Sequence, residues 1–477
     1  MTTTDCQSRK DCSASCSMTS FILFPATAIL LGWGLRGFIG GGPFAALIPG
    51  VFLALTLSIL LRHDVALACQ LALFGTVGLA FGGEMTYGQT LGLAKGSDTF
   101  FWGMLGVTVK GGVWGLLGGA LLGAGLTAGR FERKRLVLAS LLLPVAAYIG
   151  WKLINEPQLI YFSDPENPRD ESWAGLLLAA LVFLVVLRGG AREKDGSMPL
   201  RFALWGFAGG ALGFGGGTLF LVYGPSLPLP QAWCGWWKAM EFFFGFLLGA
   251  FFGSCAWYYR NELTGEKPIF TGKDKGLTDL LVLVPTVILF FMLFPILDTI
   301  ATEGNAWYLR DVMRFAYSFV FLGSICLLLG MRSQALSWQV ALTLTIFHTI
   351  YDFNRTKPAA LNMTDFSMTT QAAILVIGTA LVGLCVYLIG RSRRQIFRFY
   401  LFVVWVCYGL ACLRTFGIKS WLLATAETGY QFSDFWRNNP AIIPIFTIFT
   451  VSTFATTVYI FRLYREDPVE ESLLESS

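Results

Sequence analysis

Histidine is almost absent from this chain, with two in 477 residues, and charge is scarce, with Asp, Glu, Lys and Arg together making up 14%. A soluble protein of this length covers itself with charged side chains. A composition that is 55% hydrophobic, with a mean hydropathy of +0.61, is that of a polytopic membrane protein instead. No Gly-x-x-x-x-Gly-Lys-Ser/Thr loop occurs, and no soluble domain is large enough to hold one, so nothing in the chain supports nucleotide-driven transport. A His-Glu-x-x-His zinc helix, a Gly-x-Ser-x-Gly elbow and an exposed acidic pair of glycosyltransferase type are missing as well, so zinc-peptidase, serine-hydrolase and soluble-domain chemistry have no residues to use. Cys6, Cys12 and Cys16 precede the first apolar stretch without a histidine and at no zinc spacing, and the other seven cysteines lie in or beside apolar stretches. The sequence therefore predicts no metal, no cofactor and no disulfide framework. The loop signature of major-facilitator transporters is absent after the second apolar stretch, which ends Leu60-Leu61-Arg62-His63-Asp64.

What is present is a long series of apolar segments. Taking about 30 Å of hydrocarbon and 1.5 Å of rise per residue, fourteen stretches are expected to span: 20–40, 43–61, 65–91, 99–127, 136–152, 172–189, 201–223, 234–258, 277–297, 312–331, 334–352, 370–390, 397–416 and 441–461. Basic clusters Arg130 to Arg135, Arg188 to Arg201, Arg260 to Lys275 and Arg391 to Arg398 fall in loops of one parity. Acidic residues such as Glu156, Asp164, Glu171, Asp298 and Glu303 fall in the opposite loops. Since Lys and Arg are retained in the cytoplasm, this predicts a plasma or inner membrane protein with both termini cytoplasmic. The net charge of +5 then reflects topology, and no nucleic-acid partner is expected. Residues 1–19 lack the apolar core of a signal peptide and read as a cytoplasmic tail; 462–477 read as an acidic cytoplasmic tail.

Glycine divides the chain, because 41 of the 53 glycines precede residue 261. The expected organisation is an all-α body with an eight-helix glycine-rich half, 20–260, and a six-helix half, 261–461. The segment Leu79-Ala80-Phe81-Gly82-Gly83-Glu84 is followed by a helix with Gly111, Gly115, Gly119 and Gly123 at four-residue spacing. Leu212-Gly213-Phe214-Gly215-Gly216-Gly217 is followed in the same way by Gly245, Gly249 and Gly253. Gly37 to Gly42 resembles the first element of a third, more diverged copy. Such spacing lets helix backbones approach closely in a bilayer, and the even number of spans between copies predicts a parallel repeat with its axis along the membrane normal.

Charges inside these spans are expensive and mark function. Arg36 and Glu84 fall near outer ends of their spans, while Lys110 and Glu241 enter about 16 Å and about 10 Å from the outer end of theirs at the helical rise. The stretch Glu84-Met85-Thr86-Tyr87-Gly88-Gln89-Thr90 carries five polar side chains in seven residues, as expected of a broken-helix element that holds a ligand or of an interfacial loop. These residues predict a transporter or permease for a small polar solute, anionic or zwitterionic, in an outward-facing cavity. Its site would comprise Arg36, Glu84, Thr86, Tyr87, Gln89, Lys110 and Glu241, with Arg36 and Lys110 as counter-charges to the two glutamates. A coupling ion and homo- or hetero-oligomerisation are compatible with this reading. Two alternatives stand beside it. One is a transferase acting on a lipid-linked substrate at the outer face, with His348 and Asp352, one helical turn apart, as acid and base and the loop Asp298 to Arg314 as headgroup site. The other is a structural subunit of a membrane complex.

Overall fold

The computed structural model describes residues 16–39, 42–167, 169–189, 196–270, 316–355, 368–419 and 432–465, and among these every regular element is helical. The N-terminal half runs α1 (Met18–Ile39), α2 (Leu47–Leu60), α3 (Val65–Phe81), α4 (Gly88–Leu93), α5 (Phe100–Leu126), α6 (Arg133–Gly150), α7 (Trp173–Arg188), α8 (Met198–Tyr223) and α9 (Trp236–Tyr258). Further on come α10 (Leu344–Arg355), α11 (Met368–Ile389), α12 (Gln395–Cys412) and α13 (Ile442–Arg465), with wide-turn π stretches at Ala316–Cys326 and Gln339–Thr343. Local chemistry sets several ends. Asp64 is extended and its carboxylate accepts the Leu67 amide at 2.9 Å, capping α3, and Ser333 caps Gln334–Trp338 in the same way.

Among the described residues, eight helical segments are long and apolar enough to cross a membrane: Met18–Ile39, Val65–Glu84, Phe100–Leu126, Arg133–Asn155, Met198–Ser226, Trp236–Tyr258, Gln395–Phe416 and Ile442–Leu463. Four further apolar helices are shorter: Leu47–Leu60, Trp173–Arg188, Phe319–Gly330 and Leu375–Ile389. The protein is thus a helical membrane protein, with fewer full-length crossings among the described residues than the fourteen expected. The difference has a physical cause at α2. Its 14 residues rise only about 21 Å, short of a full crossing by themselves, and all of them are buried against protein. The stretch 277–297 lies outside the described residues. The apolar surface facing outward is carried by α6, α8, α11 and α13, through residues such as Leu141, Val145, Leu204, Leu381, Val451 and Val458.

Glycine lets the N-terminal helices approach to backbone contact. A Cβ on Gly111, Gly115 or Gly119 of α5 would fall on the carbonyl oxygens of Gly210, Gly206 and Phe202 of α8. On Gly123 it would meet Pro199 Cα at 2.7 Å. The second ladder does the same on a different partner: Gly245, Gly249 and Gly253 of α9 face the backbone of Ile29, Pro25 and Phe21 of α1. Helices surrounded by hydrocarbon gain little from apolar burial against one another, so close van der Waals packing along bare backbone is what joins them. α5 is therefore tied to α8 and α9 to α1.

At the C-terminal ends of α5 and α9 the bundle is closed by polar contacts. Arg130 Nε donates to Glu266 Oε1 at 2.7 Å and Arg201 pairs with Glu262 at 2.6 Å. The buried Gln70 of α3 donates to the Gly125 carbonyl at 2.5 Å and accepts the Ile269 amide at 2.9 Å. The segment after α9 thereby crosses the ends of α3 and α5.

Candidate functional site

The opposite end of the same helices holds a cavity of about 710 Å³. Four breaks in the chain meet there: the C-terminus of α1, the end of α3, the N-terminus of α9 and the stretch after α12. α3 stops at Phe81, turns through Gly82–Glu84, becomes extended at Met85 and resumes as α4. Gly82 permits this turn to close, since any Cβ there would lie inside the Trp114 indole. Met85, Thr90 and Leu91 are buried, so the polar stretch 84–90 is set into the protein as a broken-helix element.

Carbonyls and side chains of this stretch are bonded to neighbouring protein. The Glu84 carbonyl accepts the Ser172 hydroxyl at 3.0 Å, Thr86 Oγ1 donates to the Asp170 carbonyl at 2.8 Å, and Gln89 Nε2 donates to the Asn167 carbonyl at 2.8 Å. Beneath it Lys110 is 1% exposed and spends all three ammonium protons: 2.6 Å to Glu171 Oε1, 2.7 Å to the Thr86 carbonyl and 2.7 Å to Thr90 Oγ1. Glu171 also accepts from Ser163 Oγ at 2.7 Å and the Phe162 amide at 3.2 Å. This satisfied network, with an acid from the loop before α7, makes Lys110 the pin that holds the broken-helix element to that loop. It does not face Glu84 or Glu241 as a counter-charge, and it lies behind the cavity wall, as does Gln89.

Glu84, Thr86, Tyr87, Arg36 and Glu241 do line the cavity. Glu241, 3% exposed, accepts Trp237 Nε1 at 2.9 Å and pairs with Lys238, one turn earlier on α9. That pair rests on the bare backbone of Gly37, where a Cβ would strike the Lys238 ammonium. Lys238 lies over the Phe38 ring at 4.9 Å. Arg414 donates to the Phe38 carbonyl at 2.8 Å and to that of Ile39, covering the negative end of α1. Arg36 is 5% exposed; its Nη1 donates to Tyr87 Oη at 3.2 Å, and its guanidinium lies 5.0 Å from the Trp33 ring centre and 5.5 Å from that of Trp114. Tyr87 in turn stacks on Trp237 at 6.1 Å.

Sequence reasoning names Arg36, Glu84, Thr86, Tyr87 and Glu241, which the fold brings to one wall. It misses Lys238, Arg414, Arg169 and Trp237 as cavity residues. The signal for Lys238 is present, a Lys three residues before a Glu in an apolar helix. No comparable signal exists for Arg414, which donates to backbone 375 residues away along the chain. His348 and Asp352 lie on α10, but their side chains, like the loop Asp298 to Arg314, lie outside the described residues. Among the described residues no cluster of three or more His, Cys, Asp or Glu is arranged to hold a metal. Among the described residues, four cationic side chains (Arg36, Arg169, Lys238 and Arg414) face two anionic ones (Glu84 and Glu241), a formal excess of two positive charges. A cavity of this size, against roughly 30 Å³ of liquid volume per water molecule, accommodates a small organic solute with several waters. The chain matches no protein-family model, no curated protein and no solved structure.

Proposed function

We propose that this protein is a multi-pass permease for a small polar solute, with the cavity at the end of α1, α3 and α9 as its binding site. The observation that carries the reading is the construction of that wall: a broken helix with its freed Glu84 and Thr86 carbonyls bonded by neighbouring protein, presenting Glu84, Thr86 and Tyr87 beside Arg36 and Glu241. Non-helical backbone within a membrane protein is tolerated where it is buried in protein or lines a watery cavity, and interrupted helices are the usual means of presenting polar groups to a solute. The basic loops lie at the other end of α5 and α9, so by the retention of Lys and Arg in the cytoplasm the cavity faces outward. In this state the Arg130–Glu266 and Arg201–Glu262 contacts close the cytoplasmic end. The fourteen-span topology with cytoplasmic termini belongs to this proposal. So does the parallel repeat, which is supported by two ladders that each seat a helix on bare backbone.

The test begins with thermal-shift screening of the detergent-purified protein against amino acids, dicarboxylates, sugars and inorganic ions. Stabilisation by one soluble class is expected, because a ligand that binds only the folded state raises its stability by RT ln(1 + [L]/Kd). Uptake of that solute into proteoliposomes is then expected to fall at least tenfold in Glu84→Gln and Glu241→Gln, with unchanged gel-filtration profiles. Full uptake by both variants removes these carboxylates from the mechanism.

A further inference from the structure

The cations of the cavity wall are not equivalent. Lys238 has the Glu241 carboxylate and the Gly34 carbonyl as acceptors, Arg414 has two backbone carbonyls, and Arg169 is exposed. Arg36 is the most buried, yet its one hydrogen-bond partner is the neutral Tyr87 hydroxyl. Its Nε has no partner, and among the described residues no carboxylate lies within ion-pair distance. A buried charge with no opposite charge is costly. Trp33 and Trp114 offset part of that cost through their ring faces. The rings are themselves held in place: the two indoles pack edge to face at 4.6 Å and Trp114 Nε1 is tied to the Leu79 carbonyl at 2.8 Å. With centres only 4.6 Å apart, the two rings lie on one side of the guanidinium, and its remaining hydrogen bonds run in its own plane, along its N–H edges. Tyr87 Oη accepts from Arg36 and keeps its own proton to donate.

We propose that Arg36 is the receptor for an oxyanion, a carboxylate or phosphate group that takes the in-plane N–H donors with Tyr87 donating beside it. This deepens the permease reading and rests on it for the cavity alone. The planar fork matches two oxygens of one group, which a halide does not offer. The group belongs either to a free solute or to a lipid headgroup; the chemistry of recognition is the same.

Binding of inorganic phosphate, succinate and chloride to the purified protein is measured calorimetrically at constant ionic strength, alongside nanodiscs containing phosphatidylglycerol or only phosphatidylcholine. Phosphate or succinate, and not chloride, is expected to bind the wild type. Arg36→Lys, which keeps the charge and loses the fork, weakens that binding about tenfold, as expected for loss of a charge-assisted hydrogen bond. Arg36→Gln abolishes it, and Tyr87→Phe weakens it several-fold. Arg36-dependent binding of phosphatidylglycerol alone assigns the oxyanion to lipid. Equal affinity in wild type and Arg36→Lys, equal competition by chloride, or no oxyanion binding at all overturns the proposal. Should Arg36→Gln not fold, Arg36→Lys and Tyr87→Phe decide it, and unchanged affinity in both overturns it. Arg36-dependent binding without flux in proteoliposomes defeats the permease and leaves the oxyanion site standing. Flux of a solute that is indifferent to both Arg36 variants does the reverse.

Discussion

Lys110→Met is expected to destabilise the folded protein by about 3–5 kcal/mol, the usual cost of removing one partner of a buried ion pair. The side chain of Glu171 is fully buried, and Lys110 is its charged partner. Without the ammonium, a carboxylate held by one hydroxyl and one amide remains in a dry site, and the Thr86 carbonyl and Thr90 hydroxyl each lose a charge-assisted bond. Methionine fills the same volume, so the effect isolates charge from packing. Glu171→Gln is expected to cost less, because an amide still accepts from the ammonium. The double variant Lys110→Met/Glu171→Leu is expected to recover most of the loss, since a buried pair replaced by apolar groups of similar size is often neutral. Unfolding midpoints in one detergent, taken through the full double-mutant cycle, measure this coupling. If the single variants unfold within a degree of wild type, the network does not hold the broken-helix element in place.

The second large effect is expected at the crossing of α5 and α8. A Cβ on Gly115 falls on the Gly206 carbonyl and a Cβ on Gly206 falls on the Gly115 carbonyl, so each glycine faces backbone that has no rotamer to change. Overpacking usually costs about 1–3 kcal/mol where side chains can give way. Gly115→Leu must instead push the two helices apart over several turns, and loss of monodisperse protein is the expected outcome. Gly92→Ala is the matched control: Gly92 lies within α4 and an added Cβ there meets nothing within 4 Å. Removing a helical glycine where space allows is expected to leave stability unchanged or raise it by about 0.5–1 kcal/mol. Gel filtration and thermal unfolding of the two variants side by side check the contrast. Equal behaviour would show that the ladder does not set the helix separation.

Membrane class, helical architecture and the positions of most helices follow from the residues themselves. Hydrocarbon admits only segments that satisfy their own backbone, and a run of apolar residues is a direct record of that demand. The break at Gly82-Gly83, the ladder on α5 and the ionisable residues within the apolar helices are legible for the same reason, because each departs from an apolar background. Composition does not distinguish a helix buried in protein from one buried in lipid. α2 shows this: its run is apolar throughout, and only packing decides that all 14 of its residues are buried against protein. Pairing is likewise set in three dimensions. Lys110 and Glu241 fall within one position of each other when the two ladders are superposed, yet their partners are Glu171 from a loop and Lys238 from the same helix, because a charge takes the opposite charge that packing brings within hydrogen-bond reach. The residues determined that charges would be buried; the tertiary structure decided which were neutralised, leaving Arg36, set against two indoles, without a carboxylate among the described residues.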